Sequence, residues 1–444
     1  MVQPYLRTRG TVDGFPECHA GLRIDGPRMV GCLAELGKIG ADPAGGVTRL
    51  GLSAEENAAR AYLGGECVSA GLVAQTDPAG NLVVRRPGTR LGDAPVLLVG
   101  SHVDTVVQGG RLDGAYGVVA AIEVLRVLHE HDVELPVDMV AVAFANEEGA
   151  LIQTPFWGSR ALCGALPDGL DAKDRTGRPV SSYLVRAGGS PDHLADAAWP
   201  AGSIAAYLEL HIEQGPSLER LGVPIGVVEG IVGRTIIDID VVGEAQHAGT
   251  TPMPDRRDAM VAAAHIVLAV QRIAATEDGC ATATAGYLEA LPNVTNTIAG
   301  HVRLTAEMRD VDPGRIARAE ILLRNECARV SVASGCVVEP RVTMRSSPVS
   351  TAAPLRAAIT DAAETLGLPH LAMPSGAGHD AQIVAGLAPI GMIFVPSRRG
   401  ISHAPGEDTH PDDLVHGANV LLHSVLGAQA MAVDRSWDSR VGSV

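Results

Sequence analysis

A chain of 444 residues exceeds what one ordinary core holds, so two domains, or one large and one small, are expected. With 46% apolar and 19% charged residues it is a folded globular protein, and its net charge of −16 argues against nucleic acid or an anionic membrane surface as main partner. Seven cysteines without CxxC spacing, an N-terminus without a signal-like apolar run, and no apolar stretch near the roughly 18 residues of a spanning helix give the expectation of a reduced, cytoplasmic protein.

Residues up to about Leu22 read as a polar, Gly-rich arm. A helical pattern follows in IDGPRMVGCLAELGKIGA, and a second runs EENAARAYLGGECVSAGL with Ser53 as N-cap and acids in its first turn. NLVVRRPG reads as a strand. Then short apolar strands alternate with helical patterns: VLLVG from Val96, the helix GAYGVVAAIEVLRVLHEH, VDMVAVAFA from Val137, IAAYLELHI from Ile204 and IGMIFVPS from Ile390. Continuous apolar runs between helices predict a parallel sheet covered on both faces. PDDLVHGANVLLHSVLGAQAMA is the expected last helix.

From about Ile231 to Ser346 the rhythm changes. TIIDIDVVGE alternates as a half-buried strand, a long helix and two strands follow, and then a second helix and a last strand. That order, βαββαβ, predicts a small sheet with helices on one face inserted into the larger α/β domain. The expected division is 1–230 and 347–444 for the larger domain and 231–346 for the insert.

Ligands of open parallel sheets bind beyond the carboxyl ends of the strands. At that edge lie His102 and Asp104 in GSHVDT, Asp113 in RLDGAYG, Glu147 and Glu148 in ANEEG, His211 in ELHIEQG and His403 in GISHAPGE. Three imidazoles and two or three carboxylates can hold two divalent cations that share one carboxylate, a device for activating water against an unreactive carbonyl. Asp104, two residues after His102, suits a carboxylate that orients the ring. Of the adjacent Glu147 and Glu148, one can be a ligand and the other a free base. HEHD at His129 to Asp132 reads as a solvated helix end, and the sequon at Asn293 carries no meaning without a secretory signal.

The motifs GSHVDT, GRLDGAYGVVAAIEVL, ANEEG, GSRALCG, LELHIEQGPSLE, AQHAGTTPMPDRRDA and SGAGHDA, with VPSRRGISHAPGE, resemble the M20-type metallopeptidase superfamily. They are most similar to its amidohydrolase branch, the N-carbamoyl-L-amino acid hydrolases, allantoate amidohydrolases and β-ureidopropionases. The resemblance covers nearly everything after about Asp25. It implies a large α/β catalytic domain with a dinuclear metal site, interrupted by a smaller α+β dimerisation domain. The metals it implies are zinc or manganese, with cobalt or nickel as further options. His102 and His211 would then bind one ion and Glu148 and His403 the other, with Asp113 bridging and Glu147 as general base. His247 in QHAGTTPM would reach the partner subunit's site and hold the oxyanion. Arg309 in EMRD would clamp the substrate carboxylate. Asn296, Gln214, Gly376 and Gly378 would contact amide and carbamoyl groups. His379 and Asp380 are left as loop-structuring residues. Thr297 and Ala299 depart from the branch's usual apolar residue and proline.

The activity implied is hydrolysis of an N-carbamoyl-L-amino acid to the amino acid, carbon dioxide and ammonia, by a homodimer acting on a small ureido substrate. Alternatives are allantoate hydrolysis, or a β-ureidopropionase or N-acyl-amino acid hydrolase. A binding or scaffold protein of the same fold would be expected to have lost a ligand or the base, and none is lost.

Overall fold

The computed structural model describes residues 21–89, 94–277 and 279–433, and the expected N-terminal arm up to residue 20 lies outside them. The chain divides into two compact units. One comprises the residues up to Glu229, Thr351–Met373 and those from His379 onward; the other comprises Gly230–Ser350 and Pro374–Gly378.

Two capped helices come first. Asp25 accepts the N–H of Arg28 at the start of α1 (Gly26–Leu36), and Ser53 accepts that of Glu56 at the start of α2 (Ala54–Ser69). There follow β1 (Val73–Thr76), β2 (Leu82–Arg86), β3 (Val96–His102), α3 (Ala115–Glu130), β4 (Met139–Phe144), α4 (Trp157–Leu162), α5 (Ser181–Leu184), β5 (Ile204–Ile212), α6 (Ser217–Leu221) and β6 (Ile225–Ile231). The second unit runs β7 (Gly233–Val242), α7 (Ala259–Ala274), β8 (Thr282–Leu291), β9 (His301–Asp310), α8 (Pro313–Ser334) and β10 (Val337–Ser346). Then come β11 (Val349–Ser350), α9 (Ala353–Thr365), β12 (His370–Ser375), α10 (Asp380–Val384), β13 (Ile390–Val395) and α11 (Pro411–Val433).

In the first unit β1, β2, β4, β3, β5, β13 and β6 lie side by side in that order. Every residue of β3, β4 and β13 is buried, as their unbroken apolar runs require of strands covered on both faces. The sheet is not the wholly parallel one expected. Pairs β4–β3, β3–β5 and β5–β13 are parallel, whereas β1–β2, β2–β4 and β13–β6 are antiparallel. An apolar run reports burial, not direction. The link from β1 to β2 is a tight turn in which Asp77 accepts the N–H groups of Ala79 and Asn81, too short for a parallel crossover.

The second unit has the expected βαββαβ order, with sheet order β10-β7-β9-β8. Strand β7 alternates buried and half-buried positions, so one face packs and the other stays open. Ile237, Ile239 and Val241 meet Ala262, Ile266 and Leu323 of the helices in a core of their own. Asp312 caps α8, Pro313 occupies its first turn, and Gly335 closes it in the left-handed conformation (φ +68°).

Candidate metal centre

The parallel centre of the first sheet brings four chain segments to one edge. His102 is the last residue of β3, Glu147 and Glu148 follow β4, His211 is near the end of β5, and His403 follows β13. Asp113 lies on the connection from β3 to α3.

The two buried imidazoles have fixed orientations. His102 donates from Nδ1 to the main-chain carbonyl of Asp104 (3.1 Å), and His211 from Nδ1 to that of Ile212 (2.9 Å). In its neutral form each ring therefore turns an unprotonated Nε2 inward, and in its charged form an Nε2–H. These atoms lie 3.5 and 3.2 Å from Oδ1 of Asp113. The other oxygen, Oδ2, lies 3.2 Å from Nε2 of His403, which is 3.4 Å from Glu148. Asp113 thus presents one oxygen to each of two donor sets, His102–Asp113–His211 and Asp113–Glu148–His403, and within each set the ligand atoms lie within 4.8 Å of one another. The first set is buried, while His403 is 47% exposed and opens the second to solvent.

Glu147 is buried with Oε2 3.7 Å from Nε2 of His102. Asp104 accepts the main-chain N–H groups of Glu147 (3.0 Å) and Glu148 (3.1 Å), holding that pair at the strand end. Its carboxylate stands 3.5 Å from Nδ1 of His102, so the ring is oriented chiefly by the Asp104 carbonyl and not, as expected, by the side chain.

Charge is concentrated here. Burial opposes ionisation of Asp113, but hydrogen bonds from His102, His211 and His403 outweigh it and hold the carboxyl well below its usual range. Burial pushes Glu147 well up, and burial with the Asp113 charge pushes Glu148 to about 7. Burial lowers His102, yet Glu147, Asp104 and Asp113 outweigh it and raise the ring. Asp113 and Glu148 carry His403 up to about 9. Three carboxylates gathered among imidazole nitrogens fit divalent cations, which supply the positive charge such a cluster otherwise draws from protons.

Several supporting residues carried no expectation. Glu407 is buried and accepts the N–H groups of Leu112 (2.8 Å) and Asp113 (3.0 Å) and the hydroxyl of Ser402 (2.8 Å). Ser402 also lies 2.7 Å from Oδ2 of Asp113. Glu56, legible only as a first-turn acid, accepts the N–H of Asn146 and fixes the turn before Glu147. The rings of His211 and His379 meet edge to face at 4.7 Å. Glu209, His211 and His379 also cluster, but His211 has its Nδ1 on a carbonyl and its Nε2 on the Asp113 side, so they form a wall and not a further site.

Of the residues expected to contact substrate, Gln214 bonds Oδ2 of Asp113 through Nε2 (2.6 Å), and its Oε1 has no partner among the described residues. His247, Asn296, Arg309, Gly376 and Gly378 belong to the second unit. His247 and Asn296 are brought together on adjoining segments, where the N–H of Ala248 donates to the Asn296 carbonyl (2.9 Å). Arg309 pairs through Nε with Glu307 and donates from Nη1 to the Gly376 carbonyl (2.8 Å). These three border a cleft of about 560 Å³ with Thr284, Tyr287 and Thr305.

Residues 98–427 match the pattern of the family described as Peptidase family M20/M25/M40. The N-carbamoyl-L-amino acid amidohydrolase of Geobacillus stearothermophilus is 40% identical over 411 residues, 90% of this chain and 98% of that protein. The allantoate amidohydrolase of Escherichia coli (strain K12) is 37% identical over 394 residues, 88% of this chain and 94% of that protein. Among solved structures, an amidase of the hydantoinase/carbamoylase family from Burkholderia multivorans superposes with TM-score 0.85 at 37% identity, over 92% of this chain and 99% of that one.

Proposed function

The chain belongs to peptidase family M20/M25/M40, and from that premise we propose that it hydrolyses the carbamoyl C–N bond of an N-carbamoyl-L-amino acid, releasing the L-amino acid, carbon dioxide and ammonia. The observation that carries the reading is the Asp113 carboxylate facing two donor sets, with the buried carboxylate of Glu147 beside it. Relatives named for this activity at 34–40% identity support the substrate class.

Two divalent ions, zinc or manganese with cobalt or nickel as alternatives, would be held by His102 and His211 on one side and Glu148 and His403 on the other, with Asp113 shared. When bound, such a pair supplies Lewis acidity and a nucleophile at neutral pH. Glu147 takes the proton of the attacking water and returns it to the leaving nitrogen. A carboxylate in a dry site, pushed up by burial, suits both halves of that transfer. Asp104 keeps Glu147 in place through its main-chain N–H.

Arg309 binds the substrate carboxylate, and Gln214, with Oε1 unpaired, accepts from the carbamoyl NH2. Asn296 and the backbone at Gly376 and Gly378 complete the substrate's polar contacts. The second unit dimerises the protein, and His247 of one subunit donates to the oxyanion formed in the other.

Ammonia release should be measured across N-carbamoyl-L-amino acids, allantoate and β-ureidopropionate, with a chelated control. Chelator-sensitive turnover of the carbamoyl amino acids supports the reading. Turnover of allantoate alone would instead point to allantoate hydrolysis, the activity named for the Escherichia coli relative. Glu147→Gln should keep its metal while kcat collapses, and retained activity refutes the base.

A further inference from the structure

The segment between β7 and α7 is built around one side chain that the reaction does not call for. Residues 246–248 lie against 296–298, with the N–H of Ala248 on the Asn296 carbonyl (2.9 Å) and the N–H of Ile298 on the Gln246 carbonyl (2.8 Å). The chain then reverses. Thr251 donates its hydroxyl to the His247 carbonyl (2.9 Å) and its N–H to the same oxygen (3.2 Å). Arg256 closes this turn. Its Nη2 donates to the carbonyls of Ala248 (2.5 Å) and Thr251 (3.0 Å), and its Nε to that of Thr251 (3.1 Å). Charge-assisted bonds of this kind are the stronger sort, and a planar fork that reaches two carbonyls at once fixes their separation.

The turn sets the direction of the Gly249 N–H, which donates to Nδ1 of His247 at 3.0 Å. A ring nitrogen that accepts a hydrogen bond carries no proton, so the proton of the neutral ring sits on Nε2. The free end of the imidazole is then a donor. The opposite tautomer would turn a lone pair toward any oxyanion and repel it.

We infer that Arg256 is a positioning residue that locks His247 in its Nε2–H form by clamping the Ala248–Thr251 turn. The catalytic consequence rests on the proposed donation from His247 to the oxyanion; the lock itself does not. Arg256 makes no ion pair with a carboxylate among the described residues, so its hydrogen bonds go to the turn's carbonyls.

Arg256→Ala, Arg256→Lys, His247→Ala and the Arg256→Ala/His247→Ala double variant test this in the metal-loaded dimeric enzyme. Arg256→Ala should lower kcat about 10–100-fold, less than the roughly 100–1000-fold for removing an oxyanion donor outright, with KM and metal content little changed. Added guanidinium should restore part of the loss, and the double variant should be no slower than His247→Ala. Multiplicative losses in the double variant would overturn the coupling. Nitrogen-15 NMR of the histidine rings reads the lock without turnover. His247 should be Nε2–H in the parent and mixed in Arg256→Ala, or in Arg256→Lys if the alanine variant fails to fold. An unchanged tautomer overturns the proposal, whereas a fully active His247→Ala overturns the oxyanion role alone.

Discussion

The Glu407 carboxylate accepts the main-chain N–H of Asp113 at 3.0 Å across 294 residues of sequence. The residue that faces both donor sets is thus held from behind by a buried acid on the loop that carries His403. Gly110 makes room for it, since a Cβ there would stand 1.9 Å from the Glu407 carboxyl group.

Glu407→Ala should therefore loosen the centre without touching a donor atom. The N–H groups of Leu112 and Asp113 lose their acceptor, at roughly 1–3 kcal/mol for each left buried and unpaired. Metal affinity should fall about 10–100-fold, the usual effect of losing a partner that orients a ligand. Titration calorimetry with manganese and urea unfolding measure the two effects. Parent-like affinity would show that Asp113 holds its place unaided.

Gly114 is constrained twice. Its φ of +64° favours glycine, and a Cβ would fall 2.4 Å from the His102 ring. Gly114→Ala should displace the ring and weaken the buried His102–Asp113–His211 set before the more open set at His403. Metal analysis of the purified variant should find fewer than the parent's equivalents. Full occupancy would mean that the ring shifts without losing its ligand geometry.

These two residues mark the limit of what the sequence discloses. His102, Glu147, Glu148, His211 and His403 were legible because each follows an apolar run that stops, and a metal-type side chain at a strand end has few structural reasons to be there. Glu407, Ser402 and Glu56 were not, because they act on main-chain N–H groups or a shared oxygen from elements remote in sequence. Strand direction escaped for a similar reason, since covered strands look alike whichever way they run. The Glu307–Arg309 pair was not read from the sequence either, although residues two apart on a strand share a face.

That pair sets a testable threshold for substrate. Glu307 occupies one edge of the Arg309 guanidinium, so a substrate carboxylate bound there as proposed would compete with an internal one. Glu307→Gln removes the competing charge. KM for N-carbamoyl-L-amino acids should fall by about 2–10-fold with kcat little changed, consistent with a partly exposed ion pair worth on the order of 1 kcal/mol. The corresponding carboxamide substrates should show no such gain. A rise in KM for the acids would make Glu307 an aid to Arg309 and not its competitor.

A last prediction concerns pH and a histidine outside the candidate metal centre. His423 on α11 is buried, and burial lowers its pKa below the usual value, although the Leu22 carbonyl it faces at 3.1 Å works the other way. The unfolded chain thus binds the proton more readily than the folded one. Stability contributed by the neutral ring is fully present above the unfolded pKa of about 6.5 and falls as pH drops through that value toward the lower folded pKa. His423→Asn cannot titrate there. The difference in melting temperature between parent and variant should be constant above pH 7.5 and shift in the variant's favour as pH falls to 5.5. Because the metal ligands are common to both proteins, their titration cancels in the comparison. A pH-independent difference would mean that His423 binds protons equally in both states.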